Sequence, residues 1–401
     1  MTKRKTPITM CGLVIFQASL LLFYGLGDCR DELSSEIRSQ SAVLMDGVTG
    51  QVLFEKNSEA RFSPAGLAKM MTLYLAFDAL KNGRAKPDQN VLVSEKAWKM
   101  GGSQMFLKVG DKVPFKELLK AVAAISANDG SVAIAEFLEG SEEAFVRKMN
   151  EKAQALGMKN TDFANSHGLF AENQYTTAYD TAILGFHYVR DHPDALTFHS
   201  IPEYEYGGIM QRNWNRLLEM DKRVDGLKTG YLSDAGYHIV VSAKEGEQRF
   251  IAVVMGADTS WRRDKDALKL LELGFNNFTT KAVVRKGEIV GKVNVKKGKL
   301  RDLDLCAEET VMVTVQKGKA KNIPMEKEIP RSVTAPILKG QILGKLIVKG
   351  EGIPRKGINL VATVEVPAKS MARFYQWGLL VVMGLLGLAV WRIRTLKKRR
   401  R

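Results

Sequence analysis

Cysteine is scarce in this chain of 401 residues, and its scarcity excludes several classes of small protein. The three cysteines, Cys11, Cys29 and Cys306, lie far apart. They are too few and too scattered for a disulfide framework or for a metal site. The sequence predicts no metal and no other cofactor.

Internal repeats and low-complexity segments are also absent. The hydrophobic fraction of 45% and the charged fraction of 26% are ordinary for a globular protein, which excludes disorder as the organising feature. Because the chain exceeds the usual domain size of roughly 100–200 residues, it predicts two folded units.

Acidic residues are too few to balance the basic ones, and the net charge is +16. Ten positive charges lie at the two ends of the chain: Lys3, Arg4, Lys5, Arg392, Arg394, Lys397, Lys398, Arg399, Arg400 and Arg401. Basic ends often bind nucleic acid, but here each adjoins an uncharged apolar run. The sequence therefore predicts a membrane, and no nucleic acid, as the partner of these ends.

The two apolar runs cover residues 11–27 and 374–391. The first follows a basic start but lacks an A-x-A-like cleavage site, so residues 1–33 are predicted to be a signal peptide or an uncleaved signal anchor. The second is near the short end of the roughly 17–25 residues that span a bilayer, and Trp377 and Trp391 flank it. The seven basic residues of the tail (392–401) disfavour a buried terminal helix. Charge bias predicts a cytoplasmic tail and an exported body.

The exported body shows two patterns of predicted secondary structure. Residues 41–57 predict a β-hairpin, followed by helices from Pro64 and over 115–127, 130–139 and 141–156. Two β-rich runs after Val224 and a helix over 264–278 complete an α+β region, in which the helices pack against an antiparallel sheet. We expect this domain to cover residues 34–280 and a small all-β domain to cover 281–369.

Three separated motifs in the first domain carry chemistry: Lys69 on a helix, Ser126-Ala127-Asn128 at a helix junction, and Lys228-Thr229-Gly230 on a strand. In serine acyl-transfer enzymes with S-x-x-K, a lysine one helical turn from the serine assists its deprotonation. An S-x-N segment and a K-T-G strand then position the substrate. Each triplet alone is weak, but this order and spacing are specific.

With these motifs, the sequence resembles the low-molecular-mass penicillin-binding proteins, which are serine-type D-Ala-D-Ala carboxypeptidases. The resemblance covers roughly residues 41–369. It includes G-S-Q-M-F-L-K at 102–108, Asn165 with H-G-L at 167–169, and V-D-G-L-K-T-G at 224–230 followed by A-G-Y at 235–237. It implies a β-lactamase-like transpeptidase domain, then a β-rich domain and a C-terminal membrane helix.

The resemblance also implies an activity and a place in the cell. Family members remove the terminal D-alanine from peptidoglycan stem peptides through an acyl-serine intermediate, on the periplasmic face of the bacterial cytoplasmic membrane, and penicillins trap them. By position, Lys69 would be the base, Ser126 a proton relay and Asn128 a substrate contact. Lys228 and Thr229, with Gly230, would bind a carboxylate. By the same comparison, Met105 and Asp129 would serve packing and support, and His167 would be structural instead of a general base.

The chain departs from the family at the nucleophile. Where the family has P-A-S-L-T-K, residues 64–69 are P-A-G-L-A-K, so Gly66 occupies the position of the serine and Ala68 that of the threonine. Leu232 and Trp214 replace two further polar residues of the family pattern. Ser63 lies six residues before Lys69, nearly two helical turns away, and is predicted to be a helix N-cap instead of a substitute nucleophile.

Three hypotheses follow. The first is a pseudoenzyme that binds stem peptides, and β-lactams non-covalently, without cleaving them. The second is an active carboxypeptidase that works through an unexpected residue, or in which Gly66 arose by mutation or misreading of a parental serine. The third is a structural, membrane-anchored interaction protein with an inert cleft.

Overall fold

The computed structural model describes residues 36–318, 323–350, 353–369 and 372–398. The predicted signal segment, with Cys11 and Cys29, lies outside the described residues, and so do the last three residues of the basic tail. The described chain divides into two compact units. The first contains residues 36–281 and 314–318, and the second contains 282–313 and the described residues from 323 onward.

Strands and helices alternate in the first unit, and strands dominate the second. The strands are β1 (Ser41–Asp46), β2 (Val52–Lys56), β3 (Asn90–Leu92), β4 (Lys112–Pro114), β5 (Glu203–Tyr206), β6 (Ile209–Arg212), β7 (Val224–Leu232), β8 (Gly236–Glu245), β9 (Gln248–Ala257), β10 (Phe278–Val284), β11 (Ile289–Lys296), β12 (Asp302–Ala307), β13 (Val311–Gln316), β14 (Met325–Glu328), β15 (Ser332–Thr334), β16 (Ile342–Gly350) and β17 (Ile353–Ala362). The helices are α1 (Lys69–Lys81), α2 (Glu95–Trp98), α3 (Phe115–Ala124), α4 (Asn128–Glu139), α5 (Glu142–Leu156), α6 (Ala178–Asp191), α7 (Leu196–His199), α8 (Leu217–Met220), α9 (Ser260–Asn277) and α10 (Ala372–Lys398), with 3-10 turns at Ala65–Ala68 and Pro193–Ala195.

A five-stranded antiparallel sheet forms the centre of the first unit, in the order β2-β1-β9-β8-β7. The predicted hairpin is β1–β2, and its turn forms because the Asp46 carboxylate accepts the amides of Val48 at 2.9 Å and Thr49 at 2.6 Å. Strand β7 forms one edge of the sheet, which leaves its outer side available to the functional site.

Both faces of this sheet are buried, because its central strands carry apolar residues at successive positions. On β1, Ala42 and Leu44 face a core shared with α9, whereas Val43 and Met45 face a second core shared with α1. The side-chain period of two along a strand produces this division. The sheet is therefore held between two helical layers, and α1 is fixed at the layer that forms the site.

The predicted helices form, but several of their ends differ from prediction. The helix predicted over 115–127 ends at Ala124, because Ser126 has a left-handed φ of 64° that a helix cannot contain. The last helix of the unit begins earlier than predicted, at Ser260, where the Thr259 hydroxyl accepts the Arg262 amide at 3.1 Å.

The predicted N-cap at Ser63 is wrong. The 3-10 turn begins after Pro64 without any side-chain cap. The buried Ser63 hydroxyl has no hydrogen-bond partner among the described residues.

The second unit is built from strands, as predicted. Its main sheet has six strands in the order β14-β16-β17-β12-β11-β15, with an antiparallel β11–β12 pair and a parallel β11–β15 pair. Apolar residues such as Val293, Val295, Leu303 and Leu305 are buried, whereas Lys292, Asn294 and Lys296, which alternate with the two valines on β11, are exposed.

Within the described residues, one helix is long and apolar enough to cross a membrane. It is the part of α10 from Trp377 to Leu396, which has 20 residues and a mean hydropathy of 1.8, and its side chains are not buried. Length and composition therefore make α10, which contains the predicted 374–391 span, a candidate membrane anchor.

Candidate functional site

A cleft of about 770 Å³ opens in the first unit at the outer edge of β7. Six of the seven predicted site residues line it: Gly66, Lys69, Ser126, Asn128, Thr229 and Gly230. The seventh, Lys228, is only 1% exposed. The fold thus brings together motifs that lie up to about 160 residues apart in the chain, and the cleft volume is in the range of small-ligand sites.

Gly66 lies on the 3-10 turn, in close contact with the edge of β7. A Cβ atom at this position would lie 2.6 Å from the Thr229 carbonyl oxygen and 3.2 Å from the Ser126 hydroxyl. A Cβ at Gly230 would in turn lie 2.9 Å from the Gly66 nitrogen. Two facing glycines therefore let the turn and the strand approach more closely than any side chain would allow.

Lys69 is the first residue of α1 and is 2% exposed. Its ammonium group donates to the carbonyl oxygen of His167. Burial, reinforced by the positive charge of Lys228, lowers its pKa well below the ordinary lysine value, and the Asp129 carboxylate only partly opposes this. Lys69 is therefore shifted toward the neutral amine, the form that can accept a proton.

Lys228 lies on β7 beneath the cleft surface. Burial lowers its pKa to about 7, and the nearby Arg263 guanidinium acts in the same direction. Its amine donates to the Thr229 carbonyl at 3.3 Å, the same oxygen that faces Gly66.

The loop between α3 and α4 supplies Ser126, and Asn128 is the first residue of α4. Asn128 donates through Nδ2 to the Gly101 carbonyl at 2.6 Å. The next residue, Asp129, accepts the amides of Met105 and Leu107, each at 3.1 Å. These bonds attach the 101–107 loop to the start of α4 and so shape one wall of the cleft.

His167 borders the cleft as a neutral imidazole. Its Nδ1 accepts the Leu169 amide at 3.2 Å, and its Nε2 lies 3.5 Å from Glu142. Burial lowers the pKa of His167, and the charge of Lys69 adds to this, although Glu142 opposes it. The ring of His167 contacts its own loop and α5, and its carbonyl accepts the Lys69 ammonium group of α1.

Several cleft residues were not predicted to be site residues. Arg263 reaches the cleft from α9 and pairs with Asp264 at 2.6 Å. Trp214 is 57% exposed and donates its indole N–H to the Ile125 carbonyl at 3.1 Å. Tyr231 stacks on Tyr237, with ring centroids 4.3 Å apart. Their positions depend on tertiary packing, which no local sequence pattern predicts.

The chemistry available in the cleft follows from these groups. Gly66 offers no atom that could be acylated, and the Ser126 hydroxyl lies next to its position. The Arg263 guanidinium favours an anionic group, while the buried amines of Lys69 and Lys228 have lowered pKa values. No three His, Cys, Asp or Glu side chains of the described ranges cluster as a metal site requires.

Comparison with known proteins agrees with this geometry. Residues 29–259 match the family profile described as D-alanyl-D-alanine carboxypeptidase, Peptidase S11, and residues 278–368 match the C-terminal domain of penicillin-binding protein 5. The D-alanyl-D-alanine carboxypeptidase DacF of Bacillus subtilis is 41% identical over 81% of this chain and 85% of its own length.

Solved structures give the same result. Penicillin-binding protein 5 of Haemophilus influenzae superposes with a TM-score of 0.75 at 36% identity, over 82% of this chain and 98% of that protein. Penicillin-binding protein D2 of Listeria monocytogenes in its ampicillin-bound form gives a TM-score of 0.55 at 28% identity, over 59% and 97%. The predicted fold class, a helix-and-sheet domain followed by an all-β domain, is confirmed.

Proposed function

Because this chain belongs to the D-alanyl-D-alanine carboxypeptidase family of cell wall metabolism, we propose that it binds peptidoglycan stem peptides without cleaving them. The observation that carries this proposal is Gly66. It stands one helical turn before the buried Lys69 and beside Ser126, where a nucleophile would have to be.

The loss of rate expected without a nucleophile supports a binding role instead of a slow enzyme. Removing the nucleophile of a serine hydrolase costs on the order of a million-fold in turnover. A serine at residue 66 would also require a small shift of the turn or of β7, because its Cβ would start 2.6 Å from the Thr229 carbonyl oxygen. A residual peptidase of this kind would have no biological effect.

The rest of the cleft supports retained binding. Stem peptides end in a carboxylate, and Thr229 and Arg263 line the cleft with a hydroxyl and a guanidinium, while the Lys228 amine lies beneath the cleft surface. The same groups would hold the carboxylate of a β-lactam, so we expect non-covalent binding of such compounds. The ampicillin-bound relative supports this expectation.

Intact-mass analysis after penicillin treatment tests whether the chain forms a covalent adduct. We expect no mass increase for the natural chain, and a gain of one antibiotic mass for the Gly66→Ser, Ala68→Thr variant. A family member that has the serine serves as the positive control. A covalent adduct on the natural chain would overturn the proposal.

Calorimetric titration with a peptide ending in D-Ala-D-Ala tests the binding. We expect saturable binding that weakens about tenfold with Thr229→Val, because a hydrogen bond to a charged carboxylate is lost. The exposed Thr334→Val in the second unit is the matched control. If the peptide does not bind at all, the cleft is inert and the third hypothesis, a structural protein, replaces ours.

A second candidate function is true carboxypeptidase activity through Ser126. It is favoured by one observation: the Ser126 hydroxyl lies 3.2 Å from where a Cβ of residue 66 would be. Release of D-alanine from a pentapeptide by the natural chain, abolished by Ser126→Ala, would establish it. No release at high protein concentration would eliminate it.

We further propose that α10 anchors the protein in the bacterial cytoplasmic membrane, with the body on the periplasmic face. The apolar stretch from Trp377 to Leu396 and the basic residues that follow support this arrangement. Protease added to spheroplasts should digest the body. If the body is protected until the membrane is dissolved, it lies on the cytoplasmic face and the proposed orientation is wrong.

A further inference from the structure

The turn that joins β11 to β12 in the second unit is unusually basic. It carries Lys296, Lys297, Lys299 and Arg301, and all four side chains are exposed. Lys369, near the end of the same unit, is also exposed. We call these five side chains the basic patch.

Backbone hydrogen bonds join the turn to the segment that contains Lys369. The Lys299 amide donates to the Pro367 carbonyl at 3.0 Å, and the Lys369 amide donates to the Lys297 carbonyl at 2.7 Å. Gly298 makes this close approach feasible, because a Cβ there would lie 2.9 Å from a methyl group of Val366. The basic patch is therefore one surface, although its residues are about 70 positions apart in the chain.

The charges of the basic patch are not neutralised within the unit. Across the described part of the chain, none of its five side chains makes an ion pair within 4.0 Å, whereas Lys292 and Lys349 of the same unit do pair with carboxylates. Residues 296–301 and 366–369 contain no acidic residue, and the nearest acidic residues along the chain, Asp302 and Glu365, form no ion pair with the five side chains among the described residues. Five unpaired cations on one surface suit an anionic partner.

The position of the basic patch in the chain indicates which anionic partner it contacts. Lys369 precedes the first residue of α10, Ala372, by three residues, a distance of at most about 10 Å. Trp377, where the apolar stretch begins, is five helical residues further, or about 8 Å. The headgroup region is several ångströms thick on each side of the hydrocarbon core. The basic patch is thus tethered within reach of the headgroups.

Leu300 fits the same location. It is 43% exposed at the tip of the turn, between Lys299 and Arg301. An apolar side chain flanked by cations matches the membrane interface, where the apolar group enters the acyl boundary and the cations remain at the phosphates.

We propose that the basic patch binds the phosphate groups of anionic phospholipid in the leaflet that faces the folded body. It would hold the second unit against the membrane surface. This inference rests on the proposed anchor α10, and it is independent of whether the cleft is catalytic.

Lysine acetylation followed by mass spectrometry tests the proposal on the full chain in lipid nanodiscs. In discs containing phosphatidylglycerol, we expect Lys297, Lys299 and Lys369 to be labelled at least about fivefold more slowly than in purely zwitterionic discs, and high salt should remove the difference. Lys286 and Lys345, exposed elsewhere on the same unit, are internal references that should not change.

Charge reversal provides the matched variants. K297E/K299E should return Lys369 labelling in anionic discs to its zwitterionic rate, whereas K286E/K345E should leave the protection intact. Equal labelling of the basic patch in both kinds of disc would overturn the proposal. Protection in zwitterionic discs by soluble polyglycerol phosphate, equal to that by anionic lipid, would overturn the assignment to a membrane. A chain that fails to enter the discs would instead refute the anchor.

Discussion

The contact between Gly66 and β7 makes a quantitative prediction about stability. In Gly66→Ala, the new Cβ would start 2.6 Å from the Thr229 carbonyl oxygen. Ordinary carbon–oxygen contacts are about 3.3 Å or longer, so the strand or the turn must move by roughly 0.7 Å. Such overpacking costs about 1–3 kcal/mol.

Two effects act in opposite directions in this variant. Alanine restricts the unfolded chain, which stabilises the fold by about 0.4–1 kcal/mol where the backbone accepts a side chain. We therefore expect a net loss of about 1–2 kcal/mol. For a unit of this size, the melting temperature should fall by about 2–8 °C.

Differential scanning calorimetry of Gly66→Ala beside Gly101→Ala measures this effect. Among the described residues, no heavy atom lies within 4 Å of a Cβ at Gly101, so that control should be neutral or slightly stabilising. If Gly66→Ala is as stable as the parent while Gly101→Ala behaves as expected, the turn and the strand are not in the close contact described here. A tight packing of residue 66 against β7 would then be excluded.

Three further predictions concern buried polar groups. The folded-state pKa of Lys228 is lowered to about 7, so the unfolded state binds more protons than the folded state between pH 7 and about 10. The free energy of unfolding should therefore rise with pH over this range, by up to about 1.4 kcal/mol per pH unit. Lys228→Met should flatten this rise in thermal melts. Ser63→Ala should leave urea stability unchanged or raise it, since the hydroxyl is buried without a partner; a loss of about 1 kcal/mol would instead restore the N-cap prediction. Asp129→Asn should cost about 2–4 kcal/mol in urea and speed amide exchange at one or more of Met105, Leu107 and Gly130, because the NH2 group that replaces one carboxylate oxygen would face their N–H groups as a second donor; unchanged exchange at all three would contradict that role.

The motifs allowed most of the site to be predicted, because each has a fixed relation to its own secondary structure. Lys69 lies on a helix, Ser126 and Asn128 lie at a helix junction, and Lys228 lies on a strand, all as the sequence indicates, although the helix predicted from Pro64 begins at Lys69 after a 3-10 turn. Apolar periodicity likewise identified the sheet and the helices that cover it. These are local properties, so a single sequence contains them.

What could not be predicted depends on contacts between distant segments. The left-handed Ser126 ends α3 early, and the neighbouring Asn128 bonds to the loop at Gly101. Arg263 reaches the cleft only because α9 packs on the sheet. Ser63 precedes a proline as an N-cap should, yet the chain enters a 3-10 turn that leaves its hydroxyl unused.

The same contacts decide which residues can report on binding. Lys69 donates to the His167 carbonyl inside the core, and Asn128 holds the 101–107 loop, so both would be retained in a cleft that binds nothing. Loss of either would also damage the fold, and its effect on affinity would be ambiguous. Thr229 lines the cleft on a strand edge that the sheet holds independently of its side chain. Affinity lost in Thr229→Val at unchanged stability is therefore the result that separates a ligand-binding cleft from an inert remnant.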